Sequence, residues 1–233
     1  MGNSEFYSYF DGDWDDHDEL AWNEFDWQQY IQKNTSEITK FLDCYHRLKS
    51  KENHFEEIAQ FMGWYREEWS NSDFFDETLP ENFDFLDELN SPSARLEPYT
   101  VHQHPVYIVT HGLYLSLFKT WGEFTLKNQR LISPFFASQF STALHIGEFN
   151  AIMAINALDM ADYNLCICHF KHALSALNQT LMLLDKLSEN CRSLTEFKSD
   201  FNTLLFDLRE VWLRVMTDCR DEYKSRNNDS DEA

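Results

Sequence analysis

Glycine and proline are scarce in this chain, with six Gly and five Pro among 233 residues. The last Pro is Pro134 and the last Gly is Gly147. Residues 148–233 therefore lack the two strongest breakers of regular backbone, which favours long helices. Basic residues are scarce as well: 19 Lys and Arg stand against 40 Asp and Glu, a net charge of −21. Such a surface repels phosphate backbones and anionic lipid, so direct nucleic-acid binding and membrane attachment are disfavoured. No apolar run reaches the roughly 18 residues of a transmembrane helix. The first residues have neither a basic n-region nor an apolar h-region, so no signal peptide is expected. The five cysteines, Cys44, Cys166, Cys168, Cys191 and Cys219, are odd in number and lack framework spacing. That argues against a disulfide scaffold and for reduced thiols in a cytoplasmic protein. Catalytic signatures are missing too: there is no Gly-rich phosphate loop, no G-x-S-x-G elbow, no H-E-x-x-H and no zinc-knuckle spacing.

What the chain does have is apolar bulk. Hydrophobic residues make up 43 % and aromatics 16 %, enough to bury a sizeable core despite the charge. The apolar residues recur at helical spacing. Pro105 suits a first helical position, and Leu113, Leu117, Trp121 and Phe124 predict a helix over about 105–128. Ser133 before Pro134 opens a second, about 134–160, whose stripe is Phe136, Phe140, Leu144, Gly147, Ala151 and Ala154. Tyr163, Ile167, Phe170, Leu174, Leu177, Leu181 and Leu184 form a heptad seam over about 162–189, with Asp162 as cap. Ser193 and Glu196 form a capping box for a fourth helix, about 194–225, carried by Leu194, Phe197, Phe201, Leu204, Leu208, Val211 and Val215. Short connections favour antiparallel neighbours. The fold class is all-α: a C-terminal antiparallel four-helix bundle with additional N-terminal helices packed on it. Those helices are placed at about 35–50, opened by Asn34 and Glu37, and at about 52–70. The domain reading is 1–19, an acidic-aromatic segment for which disorder and packing are both open; 20–102, an acidic helical region with a linker at 71–104; 103–225, the bundle; and 226–233, a disordered tail.

The negative charge is unevenly placed. Residues 1–100 carry net −17 and residues 101–233 net −4. Residues 1–26 hold nine acids, seven aromatics and no Lys or Arg, and 67–90 repeat the pattern with nine acids and no basic residue. Acids steer a basic partner while aromatics supply contact area, so these segments predict protein binding. The candidate partner contacts are Trp14, Trp22, Phe74, Phe75, Phe83 and Phe85, with Asp84 and Asp87 beside them. The leading function is a non-enzymatic interaction with a protein bearing a basic surface, with no cofactor. One alternative is a nucleic-acid mimic that occupies the basic groove of a DNA- or RNA-handling protein. The oligomeric state is open.

A second alternative is enzymatic and rests on histidines. His169 and His172 lie three apart on one helix with Cys166 a turn before, and His145 and Glu148 lie three apart on the preceding helix. Facing helices would assemble these five as a metal set, although the Glu-x-x-His order of di-iron bundles is absent. Arg95-LEPYTV-His102 resembles, in spacing, the Arg–His element of HEPN-type ribonucleases. That resemblance implies RNA cleavage by Arg95 and His102. The balance of the sequence leans away from an enzyme. Finally, FNAIMAINALDMADYNLCICHFKHALSAL at 149–177 resembles a tetratricopeptide helical hairpin, with Ala161-Asp162-Tyr163 where that family often has a Gly-Asp-Tyr turn. The resemblance implies an antiparallel helix pair; no second convincing copy stands at the roughly 34-residue period of such arrays.

Overall fold

The computed structural model describes residues 22–64, 100–130, 132–187 and 192–231. Among them are six α-helices and no strand: α1 (Glu24–Leu48), α2 (His54–Met62), α3 (Pro105–Lys127), α4 (Pro134–Asp159), α5 (Tyr163–Asp185) and α6 (Arg192–Asp231). A 3₁₀ turn, Val101–Gln103, leads into α3. None of the helices is long and apolar enough to cross a membrane. Two compact units divide between Ser36 and Glu37.

In the first unit, α1 starts eleven residues before the expected opening at about 35. Asn23 is the cap: its Oδ1 accepts from Phe25 N (2.9 Å) and Asp26 N (3.2 Å), and Asp26 returns the bond to Asn23 N at 3.1 Å. This reciprocal pair satisfies donors that a helix start leaves open. Asn34 and Glu37 lie inside the helix instead. Trp22 packs with Trp27 and Tyr30, ring centroids 4.9 and 5.4 Å away.

The second unit is built on four antiparallel helices. Pro134 and Pro105 sit at first-turn positions, where a missing N–H costs nothing. Ser133 Oγ accepts from Phe136 N, and Asp162 Oδ1 from Leu165 N at 3.0 Å. Between α4 and α5 the chain reverses through Ala161, held at φ 56°, while Ala161 N and Asp162 N donate to Leu158 O and Ala157 O. This left-handed position explains why glycine suits the same turn elsewhere. Ring contacts set the pairing of the helices. Trp121 lies on Phe140 (3.9 Å) and Phe124 on Phe197 (3.9 Å), so late residues of α3 meet early residues of α4 and of α6, while Phe170 of α5 lies near Trp212 of α6 (5.9 Å).

The seams differ in how well they match the sequence. The whole α6 seam from Leu194 to Val215 is buried, and so is the α4 stripe from Phe140 to Ala154. On α5 the buried face is turned by about one position: Cys166, Ala173, Ala176 and Thr180 are buried, while Ile167, Leu174 and Leu181 are half-buried at its edge. Small residues at the centre of that face let α4 approach closely. A Cβ on Gly147 would run into Tyr114 Oη and come within 3.7 Å of Ala176 Cβ. The helical ladder of α6 runs on to Asp231, into the stretch expected as a tail, because no Gly or Pro interrupts it.

The end of α1 and all of α2 lie on this bundle. Phe41 is buried where Gly112 of α3 leaves room; a Cβ there would be 2.9 Å from Phe41 Cδ1. α2 ends at Met62 rather than near 70. Gly63, at φ 76°, closes it, and Trp64 N donates to Ala59 O at 2.8 Å.

Candidate functional site

Three polar clusters and one groove are candidates, and most lie where single-helix spacing did not point. The deepest cluster joins α1, α2 and α6. Asp207 is buried on the core side of α6, between Tyr45 and His54. The Tyr45 hydroxyl donates to Asp207 Oδ2, and His54 Nε2 stands 3.5 Å from Asp207 Oδ1. His54 Nδ1 lies 3.0 Å from the Lys51 carbonyl, which suits an Nδ1–H donor and leaves Nε2 facing the acid. Burial pushes the Asp207 carboxyl up, and the Tyr45 hydroxyl and His54 pull against that shift. Burial also raises the Tyr45 phenol, with the Asp207 bond adding to it, so the proton stays on the tyrosine. This cluster is a structural clamp: Tyr45, His54 and Asp207 are all buried.

On the outer side of the same two helices runs a groove of about 1400 Å³. Its apolar wall is Phe55, Ala59 and Trp64 from the α2 side, and Phe206 and Leu213 from α6. Phe206 is 49 % and Leu213 41 % exposed. Arg214 bridges the two helices, reaching Glu56 at 3.1 Å and Glu210 at 2.5 Å. Arg209 and Asp218 also line the groove, and neither forms an ion pair among the described residues. The groove thus carries one charge of each sign outside any ion pair, roughly 13 Å apart along the α6 axis, with Asp218 in the field of Arg214 and Asp221. Its volume exceeds the roughly 300–1000 Å³ of small-molecule pockets, so it fits a polypeptide segment better than a metabolite.

The enzymatic candidates are spread across the bundle. Glu148 pairs with His111 of α3, Nδ1 to Oε1 3.0 Å, and not with His145. His145 bonds the Ser141 carbonyl of its own helix at 2.7 Å, and its ring lies 4.5 Å from Phe118. Cys166 faces Cys219 of α6, Sγ to Sγ 3.7 Å. His169 is half-buried and His172 exposed. Among the described residues no three His, Cys, Asp or Glu side chains converge as a metal set. His102 lies in the 3₁₀ turn with its ring 4.9 Å from Tyr107. Arg95 lies outside the described residues, as do Trp14, Phe74, Phe75, Phe83, Phe85, Asp84 and Asp87. Trp22 is described, and its ring contacts are the two aromatics on α1.

His104 is a further histidine with a defined structural role, one that helical spacing does not single out. It is buried at the N-cap of α3, where Nδ1 accepts from Val106 N at 3.2 Å. Only neutral imidazole has a lone pair for that bond. Burial pushes its pKa down to about 4. A sequence signal existed: His104 directly precedes Pro105, which fixes it as the capping position.

Set against known protein families, curated proteins and solved structures, the chain matches none. The α4–α5 hairpin therefore stands as an antiparallel helix pair, without a tetratricopeptide family match behind it.

Proposed function

We propose that this protein works without catalysis, by binding a segment of a protein partner that has a basic surface. The observation that carries the reading is the groove between α2 and α6: an open apolar wall in a chain of net charge −21. The occupant that fits is an amphipathic helix with a basic polar face. The chain's overall field draws it in, and its apolar face covers Phe206 and Leu213. Arg209 and Asp218 give it a polarity, with a Lys or Arg facing Asp218 and an acid facing Arg209. The acidic-aromatic segments, with Trp14, Trp22, Phe74, Phe75, Phe83, Phe85, Asp84 and Asp87, are the proposed outer contacts. A cytoplasmic setting goes with the free thiols.

A pair of synthetic amphipathic helices tests this, one Lys/Leu and one Glu/Leu, titrated against the whole chain by fluorescence anisotropy. The Lys/Leu peptide is expected to bind and the Glu/Leu peptide not to. Leu213→Asp and Phe206→Asp, each exposed and so tolerable to the fold, should weaken binding about tenfold or more, roughly 1.4 kcal/mol. Wild-type affinity in both variants would rule out the groove.

A further inference from the structure

Cys166 of α5 and Cys219 of α6 are buried with their sulfur atoms 3.7 Å apart. They are 53 residues apart in the chain. Two separate features bring them together. The Asp162 cap fixes the first turn of α5, where Cys166 N donates to Asp162 O at 2.9 Å. Antiparallel packing then lays the late turns of α6 alongside. Next to the pair, Tyr163 is held under Arg226: its hydroxyl accepts from Nη2 at 3.0 Å, and the guanidinium lies 4.6 Å from the ring centre. A disulfide needs sulfurs roughly 2 Å apart, so closure requires side-chain rotation and a shift of α5 toward α6.

We propose that Cys166 and Cys219 form a dithiol site that hydroperoxides oxidise to a disulfide joining α5 to α6. With the two sulfurs in contact, one attacks and the other resolves; the contact with Cys166 lowers the Cys219 thiol, which favours Cys219 as the first to react, and the reverse order gives the same link. The Cys219 thiolate attacks one peroxide oxygen, and the O–O bond breaks. Cys219 becomes a sulfenic acid, and the other oxygen leaves as hydroxide or alkoxide and takes up the thiol proton. Cys166, losing its proton, then attacks the Cys219 sulfur; the S–O bond breaks and water leaves. In sum, two thiols give up two electrons and two protons. One hydrogen peroxide becomes two waters. Access for the oxidant to the buried pair requires the neighbouring Arg226–Tyr163 contact to open.

The test uses the full chain, freed of reductant and exposed to hydrogen peroxide. Remaining thiols are then blocked with N-ethylmaleimide in denaturant, and the peptides are mapped by mass spectrometry. The expected result is a Cys166–Cys219 link, two fewer blocked thiols than the reduced chain, and reversal by dithiothreitol. Closing so long a loop should also raise the thermal midpoint by several degrees. Cys219→Ala should abolish the link. Because that change touches the core, a second chain with Cys44→Ala, Cys168→Ala and Cys191→Ala keeps the pair and should form the same link. Links that join other cysteines in the wild type, or a peroxide-treated chain in which only exposed Cys168 is modified, would overturn the proposal.

Discussion

His104 shows how one residue couples this fold to pH. Its folded-state pKa of about 4 lies below the ordinary 6.5, so the unfolded chain takes up a proton first as pH falls. The stabilisation from the neutral cap is complete above pH 6.5 and is lost as pH falls toward 4. A shift of this size corresponds to on the order of 3 kcal/mol. His104→Asn keeps a capping oxygen and does not titrate. Urea denaturation across that pH window should show a flatter profile for the variant. Asp207 behaves in the opposite sense. Its raised pKa means that the folded state takes up the proton at a higher pH than the unfolded chain does, so its ionisation costs stability as pH rises. The Tyr45 hydroxyl offsets part of that cost. Tyr45→Phe should lower stability by about 2 kcal/mol at neutral pH, because a buried carboxylate loses its donor. The loss should shrink in acid, where Asp207 is protonated. An equal loss at all pH values would count against an ionised Asp207.

At the scale of elements, α4 at Gly147 packs closely against Tyr114 of α3 and Ala176 of α5. The absent side chain there is room for Tyr114, which is itself stacked on Trp212 with centroids 6.2 Å apart. Gly147→Ala should cost about 1–3 kcal/mol through overpacking, despite the better helix propensity of alanine. Removing the phenolic oxygen relieves the clash. The double variant Gly147→Ala with Tyr114→Phe should therefore lose less than the sum of the two single changes, as read by chemical denaturation. Helix existence was legible because it rests on local periodicity and caps: the spans about 105–128 and 134–160 match α3 and α4 closely. The start of α1 was also written locally, in Asn23 and Asp26. A second plausible capping pair at Asn34 and Glu37 obscured it, and only packing decides between two such signals.

Over the whole molecule, the proposed binding divides into a long-range part set by charge and a short-range part set by the groove. The net −21 acts at long range on any basic partner, and salt screens it. The Lys/Leu helix should therefore associate more slowly as salt is raised. Its dissociation should change little, because the apolar wall of Phe206 and Leu213 governs residence. A salt response carried mainly by the dissociation rate would place the contact on charges alone, away from the groove.

The all-α class, the α4 and α6 seams, the caps at Ser133 and Asp162, and the strong acidity follow from the sequence by itself. Each depends on residues within one or two helical turns, or on a simple sum. Which histidine, thiol or acid meets which was decided only by the tertiary structure. His111 rather than His145 holds Glu148, Cys219 rather than a histidine meets Cys166, and Asp207 is enclosed by residues of two earlier helices. The physical reason is rotation. On α5 the buried face sits about one position from the heptad seam, and about 100° per residue is enough to exchange one set of neighbours for another. Spacing along one helix constrains what shares a face; it does not determine what lies opposite.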